Sequence, residues 1–175
     1  MLRTKNYIYI KSKTLTSDEC NSIINYINSS STFSAKFYDA IYCDIDTTPH
    51  KFLFNVVQNN LEKYVEKHIF LKNNLCPWAI SKNFNLQKYS PGQSYYPEHM
   101  EHGKNDHDSI RLLGWMIYLN DVKDGGGTRF PQQNFTTKAR AGDLYIWPAG
   151  WTHSHYGIVS KTETKYIVTG WCSFL

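Results

Sequence analysis

Four places in the chain carry residue types whose spacing can do chemistry. The first reads Tyr96-Pro97-Glu98-His99-Met100-Glu101-His102. Side chains two apart on a strand point the same way. On a strand, the imidazole of His99 and the carboxylate of Glu101 would therefore share one face. Two such ligands and a distant histidine make the facial triad of non-haem iron(II) oxygenases, which leaves positions open for dioxygen and a chelating cosubstrate. The second place is Trp151-Thr152-His153-Ser154-His155, where His153 and His155 face one way if the segment is extended. The third is Lys165, ten residues after His155 and inside the apolar run Thr164-Lys165-Tyr166-Ile167-Val168. A buried ammonium needs a counter-charge, and a ligand carboxylate can supply it. The fourth is Tyr89, ten residues before His99. Taken singly, each has a bland reading: a His-x-Glu surface pair, or a late histidine satisfied in the core. Lys165 is the hardest of them to dismiss.

The elements that must position these groups change character along the chain. Thr16 and Glu19 have capping-box spacing, and Cys20, Ile23, Ile24 and Ile27 follow at helical spacing. A second helix is expected from about Lys51 to His68, with Phe54, Val57, Leu61, Tyr64 and Val65 on one apolar face. From Trp78 onward, short runs rich in β-branched and aromatic residues alternate with turns. The expected strands are Ala79–Tyr89, Tyr95–Glu101, Ile110–Leu119, Leu144–Trp147 and Thr164–Cys172. The pattern predicts one domain over residues 1–175. Residues 1–77 form helical support, and residues 78–175 form a mainly β core of the double-stranded β-helix, jelly-roll or cupin-like type. The stretch Phe33–Pro49 is long enough for a lid, or equally for an ordinary surface loop.

Composition narrows the functional classes. The chain has 175 residues, 41% hydrophobic and 15% aromatic, enough for a core. No apolar run is long enough to span a membrane, and Tyr7 to Ile10 is too short for a signal-peptide core. The expectation is a cytoplasmic protein. Cys20, Cys43, Cys76 and Cys172 form no CxxC pair and read as free thiols. A net charge of +4 without a basic–aromatic run points away from nucleic acid and suits anionic small molecules.

The order and spacing of Tyr89-Ser-Pro-Gly92, His99-Met-Glu101, Arg111, Tyr118-Leu-Asn-Asp121, Gly125-Gly-Gly-Thr128, Phe130, Gly142-Asp143, His155, Lys165 and Trp171 resemble the iron(II)/2-oxoglutarate-dependent dioxygenases. The resemblance is to their prolyl 4-hydroxylase-like branch, including short forms carried by marine bacteriophages. If the origin is a phage, the compartment is the host cytoplasm. The resemblance implies that His99, Glu101 and His155 bind Fe(II). It implies that Lys165 and Tyr118 hold the distal carboxylate of 2-oxoglutarate, and that Tyr89 lies near the chelating end. Trp171 is placed beside the iron on the substrate side. Arg111, His153 and Thr169 are further candidates to line the site. Arg111 reads more readily as an ion-pair partner, and His153 as a supporting or surface residue. His102 and His107 read as solvated loop histidines.

Two positions depart from the family pattern. Glu101 stands where aspartate is usual, and Gly127 where an acidic residue is usual. The implied activity couples decarboxylation of 2-oxoglutarate to succinate with hydroxylation of a C–H bond by O2, ascorbate being an optional addition. The expected substrate is a prolyl residue in a peptide or protein. The alternatives are a free amino acid or other small molecule, a non-catalytic cupin-like metal-binding module, and a structural or hydrolytic zinc site.

Overall fold

A computed structural model of the chain describes residues 2–103 and 105–175, with residues 2–5 given by their backbone alone. The strands are β1 (Leu2–Lys5), β2 (Ile8–Lys11), β3 (Phe33–Ser34), β4 (Asp39–Asp44), β5 (Trp78–Tyr89), β6 (Arg111–Tyr118), β7 (Thr128–Phe130), β8 (Phe135–Thr136), β9 (Leu144–Pro148), β10 (Tyr156–Gly157) and β11 (Lys165–Phe174). The helices are α1 (Ser17–Ser29), α2 (Phe52–Lys67) and two single turns, α3 (Phe70–Asn73) and α4 (Asp106–Ser109). Eight strands form one antiparallel sheet in the order β1-β2-β9-β6-β11-β5-β4-β3, and three form a second in the order β10-β7-β8. This is the expected jelly roll.

Alternation along the strands divides the core in two. On β6, Leu113, Trp115 and Ile117 face the helices, joining Ile23 and Ile27 of α1 and Val57 and Leu61 of α2. Met116 and Tyr118 face the other way, with Tyr145, Trp147, Ile167 and Phe130. The helices thus seal one face of the large sheet, and the small sheet covers the other. The chemistry lies on the second side. The start of α1 is as expected. The Thr16 hydroxyl accepts from the Glu19 amide, and the Glu19 carboxylate accepts from the Thr16 amide at 2.7 Å.

Two expectations change. Residues 1–77 are not only helical support, because β1 to β4 extend the large sheet at both edges. Within them, Phe33–Pro49 carries two of these strands, β3 and β4, and β4 pairs with β5 over six residues, from Asp39↔Lys88 to Asp44↔Asn83. Only its turn reaches toward the chemistry, where Phe37 packs on Tyr95 and Tyr96, and Tyr38 packs on Tyr89. Second, Tyr95–Glu101 is not a strand. It makes a single bridge, His99↔His155, with His99 N–H donating to His155 O (3.0 Å) and the reverse bond at 2.8 Å. Pro97 has no N–H to donate and interrupts any longer ladder.

Candidate metal centre

The isolated bridge sets the two histidines side by side, with ring centroids 4.4 Å apart. The chain then bends so that Glu101 turns its carboxylate to the same point, and Glu101 Oε1 lies 3.2 Å from His155 Nε2. One ligand atom from each of His99, Glu101 and His155 falls within 4.8 Å of the others. The shared face that a strand would have given comes instead from one bridge and a bend.

Backbone carbonyls orient both imidazoles. His99 Nδ1 donates to Pro97 O and His155 Nδ1 donates to His153 O, each at 2.9 Å. A carbonyl can only accept, so each Nδ1 carries the proton and each Nε2 presents a lone pair. Burial, with His155 close by, lowers the His99 pKa and favours its neutral, ligating form. Tyr95 packs on His99, and Phe130 and Trp147 pack on His155, which restrains the rings. Glu101 is 9% exposed. Burial alone would raise its pKa, but the adjacent imidazoles of His155 and His99 and the Trp171 hydrogen bond outweigh it and hold it at about 2. The carboxylate is ionised. An Nε2 lone pair and a carboxylate oxygen 3.2 Å apart are two acceptors facing each other, an arrangement that a bound cation resolves. Two imidazole nitrogens and one carboxylate oxygen fit a facial Fe(II) site.

A cavity of about 360 Å³ opens beside this cluster. Lys165 lines it, 5% exposed, with its ammonium 4.1 Å from the ring centroid of Tyr89. No carboxylate among the described residues lies within 4 Å of that ammonium. Burial lowers the Lys165 pKa to about 8. Tyr89 donates its hydroxyl to Gln87 Oε1 at 2.8 Å, and burial pushes its pKa upward, so it stays a neutral phenol.

Thr169 and Trp171 follow Lys165 on the same face of β11, and both line the cavity. The Thr169 hydroxyl donates to Trp115 O at 3.0 Å. The Trp171 indole N–H donates to Glu101 Oε2 at 2.6 Å. The Arg111 guanidinium stacks 3.7 Å from the Trp171 ring centroid and pairs with Asp108 at 2.6 Å. It is therefore both the ion-pair partner expected and a wall of the cavity. Tyr118 stands behind the cavity wall, with its hydroxyl shared with Thr137 at 2.7 Å and Thr128 at 3.1 Å.

His153 is placed apart from the cluster. The segment Trp151–His153 is a 3₁₀ turn, not a strand, so His153 and His155 do not share a face. His153 Nε2 instead reaches Asn6 O at 2.9 Å, and the residue does not line the cavity. His102 and His107 are exposed, as expected. Among the described residues all four cysteines are free, and no helix is long and apolar enough to cross a membrane.

Several lining residues escaped the sequence reading: Tyr38, Asn85, Gln87 and Tyr95. Asn85 and Gln87 carried a signal, being polar residues that alternate with buried Phe84 and Leu86 on β5 and lead to Tyr89. Tyr38 and Tyr95 carried none, since only the tertiary fold brings their turns to the site.

Comparison with known proteins agrees with this geometry. A family model described as the 2OG-Fe(II) oxygenase superfamily matches residues 84–173. The probable prolyl 4-hydroxylase 9 of Arabidopsis thaliana is 32% identical over 76 residues, covering 41% of this chain and 25% of that protein. The chain thus spans about a quarter of that relative's length. The viral collagen prolyl hydroxylase of Paramecium Bursaria Chlorella virus-1, solved as a 2OG complex, superposes with a TM-score of 0.78 at 18% identity, covering 97% of each chain. A Trichoplax adhaerens prolyl hydroxylase, solved with a hypoxia inducible factor peptide fragment, gives 0.72 at 15% identity over 96% of this chain and 84% of that one. The structural likenesses show the fold. The family match spans just over half of the chain and every residue of the metal cluster, so the chain belongs to the 2OG-Fe(II) oxygenase superfamily.

Proposed function

We propose that the chain is an Fe(II)- and 2-oxoglutarate-dependent dioxygenase, in which His99, Glu101 and His155 hold the iron and Lys165 grips the distal carboxylate of 2-oxoglutarate. One observation carries this reading: a His–Glu–His cluster and an unpaired ammonium open onto the same cavity. When bound, the iron and cosubstrate supply the oxidising power for C–H hydroxylation by O2, with succinate and carbon dioxide as co-products.

The protein's part is binding, orientation and exclusion of water. The Nδ1–H bonds keep the two imidazoles in the ligating tautomer. Lys165 is a compact positive charge deep in the pocket and fixes one end of a dicarboxylate. Tyr89 walls the cavity beside it as a neutral ring. Tyr118 bonds the Thr128 hydroxyl from behind, and Thr128 is part of the cavity wall. The aromatic groups Tyr38, Tyr95 and Trp147 keep bulk water from the cluster. Asn85, Thr169, Trp171 and Arg111 also line the cavity and are available to contact a substrate side chain.

For substrate we propose a prolyl residue in a peptide or protein. The Arabidopsis relative is named a prolyl 4-hydroxylase, and the Trichoplax enzyme was solved with a peptide. Exposed apolar groups, Met100 at 41% on the cavity wall and Tyr96 at 59% next to Tyr95 of that wall, offer contact area beyond one amino acid. The test is succinate formation from 2-oxoglutarate with proline-rich peptides beside free amino acids. Stimulation by peptides alone supports the proposal. Stimulation only by free amino acids would shift the substrate class to small molecules.

A further inference from the structure

The metal cluster contains a glutamate, and the residues around it are matched to that choice. Glutamate has one more methylene and one more torsion than aspartate. With the cluster's distances fixed by His99 and His155, the extra methylene must bow to one side. It bows toward Gly114. A Cβ built on Gly114 would lie 3.0 Å from Glu101 Cγ and 2.9 Å from Trp147 Cε2 and Cζ2. Carbon atoms pack at about 3.5–4.0 Å, so even alanine at 114 would displace the methylene or the indole.

The far end of the side chain is held as well. Its two oxygens are differently engaged: Oε1 faces His155 Nε2 at 3.2 Å, while Oε2 accepts the Trp171 indole N–H at 2.6 Å. Trp171 sits at the register shift of β11 against β5, and on its other side it pairs across the sheet with Gly114. The two residues that touch Glu101 from β6 and β11 are thus cross-strand partners. The Trp171 ring is itself fixed by the Arg111 guanidinium, which bonds Asp108 at 2.6 Å and Glu101 O at 3.2 Å.

We propose that Gly114 and Trp171 are positioning residues that fit this metal centre to glutamate, Gly114 by giving space to the extra methylene and Trp171 by pinning the second oxygen so that a single oxygen meets the metal. The proposal rests on the reading of Glu101 as a metal ligand.

The test is a double-mutant cycle read by Co(II) affinity in the folded full chain, with circular dichroism as the check on folding. The wild type, Glu101→Asp, Gly114→Ala and the double variant are compared. The Trp147 contact is common to both backgrounds and cancels, so the cycle isolates the 101–114 pair. Gly114→Ala should weaken Co(II) binding by about 10-fold or more beside glutamate and by about 2-fold or less beside aspartate, the scale of change expected for groups that orient a ligand. An equal loss in both backgrounds would overturn the proposal. If Gly114→Ala does not fold, the same cycle is run with Trp171→Phe, which keeps a ring but removes the donor. A loss of ~10–100-fold that depends on glutamate supports the proposal, and a loss independent of residue 101 overturns it. Glu101→Ala with wild-type Co(II) affinity would overturn the metal reading itself, and the proposal with it.

Discussion

The ammonium of Lys165 stands 4.1 Å from the ring centroid of Tyr89, in a position 5% exposed and with no carboxylate within 4 Å among the described residues. A cation over an aromatic face recovers about 0.5–2 kcal/mol, less than the several kcal/mol that burying an ion costs. The ligand-free protein therefore holds an uncompensated charge, and a dicarboxylate would relieve it.

Lys165→Met should accordingly separate stability from binding. Removing the buried charge raises the melting temperature of the ligand-free protein. The loss of a charge-assisted hydrogen bond, about 1.5–3 kcal/mol, weakens 2-oxoglutarate binding by roughly 10–150-fold. Thermal shift with and without 2-oxoglutarate reads both effects. A variant less stable without ligand, yet equally stabilised by it, would refute the role of Lys165.

The same residue gives a pH dependence. Its folded pKa, about 8, lies below the ordinary 10.5, because burial disfavours the charged form. Below about 8 both folded and unfolded chains hold the proton, and the burial penalty is present in full. Between about 8 and 10.5 the unfolded chain binds more protons, so this group makes the ligand-free protein more stable as pH rises through that window. Binding of 2-oxoglutarate runs the opposite way, since it needs the ammonium: above pH 8 its dissociation constant should climb toward tenfold per unit. Calorimetric titration at pH 7 to 9.5 checks this, and Lys165→Met should abolish the slope.

His153→Ala should cost stability and spare the metal. It removes a buried ring bonded to Asn6 O, a loss of about 1–3 kcal/mol. The His153 carbonyl that orients His155 remains in the variant. Chemical denaturation and Co(II) titration separate the two effects. A large fall in metal affinity with stability unchanged would place His153 in the centre.

Tyr118→Phe should affect the fold more than the cosubstrate. Its hydroxyl is engaged by Thr137 and Thr128 behind the cavity wall. Removing it should cost about 1–2 kcal/mol of stability, with a smaller change in 2-oxoglutarate affinity than Lys165→Met. An equal or greater loss of affinity would show that the hydroxyl turns to meet the ligand.

Local signals were the legible ones. The Thr16–Glu19 box and the Ile23 and Ile27 spacing mark α1 because a capping box and a helical face need only near neighbours. The runs Ala79–Tyr89 and Thr164–Cys172 read as strands from their β-branched and aromatic residues between turns, and the strands formed are Trp78–Tyr89 and Lys165–Phe174. The centre was legible as residue types, since His99, Glu101, His155 and Lys165 do converge on one cavity. The route to it was not. Pro97 limits the His99 segment to a single bridge, and a 3₁₀ turn sends His153 to Asn6 while His155 faces Glu101. Strand β4 was hidden because Asp39–Asp44 has two acidic ends and weak alternation, and its partner β5 lies far along the chain. Pockets close through such long-range pairings, which is why Tyr38 and Asn85 emerge only in three dimensions.

In the function proposed, His99, Glu101 and His155 hold one ferrous ion beside a cosubstrate pocket. The most direct measurement is Fe(II)-dependent succinate formation from 2-oxoglutarate, made on the wild type and on His99→Ala together with Fe(II) stoichiometry under anaerobic conditions. One iron per wild-type chain with turnover is expected, and loss of turnover by a factor of about 10³ or more in the variant, as follows when a group essential to the reaction is removed. Undiminished succinate formation by His99→Ala, with iron still bound one to one, would contradict it.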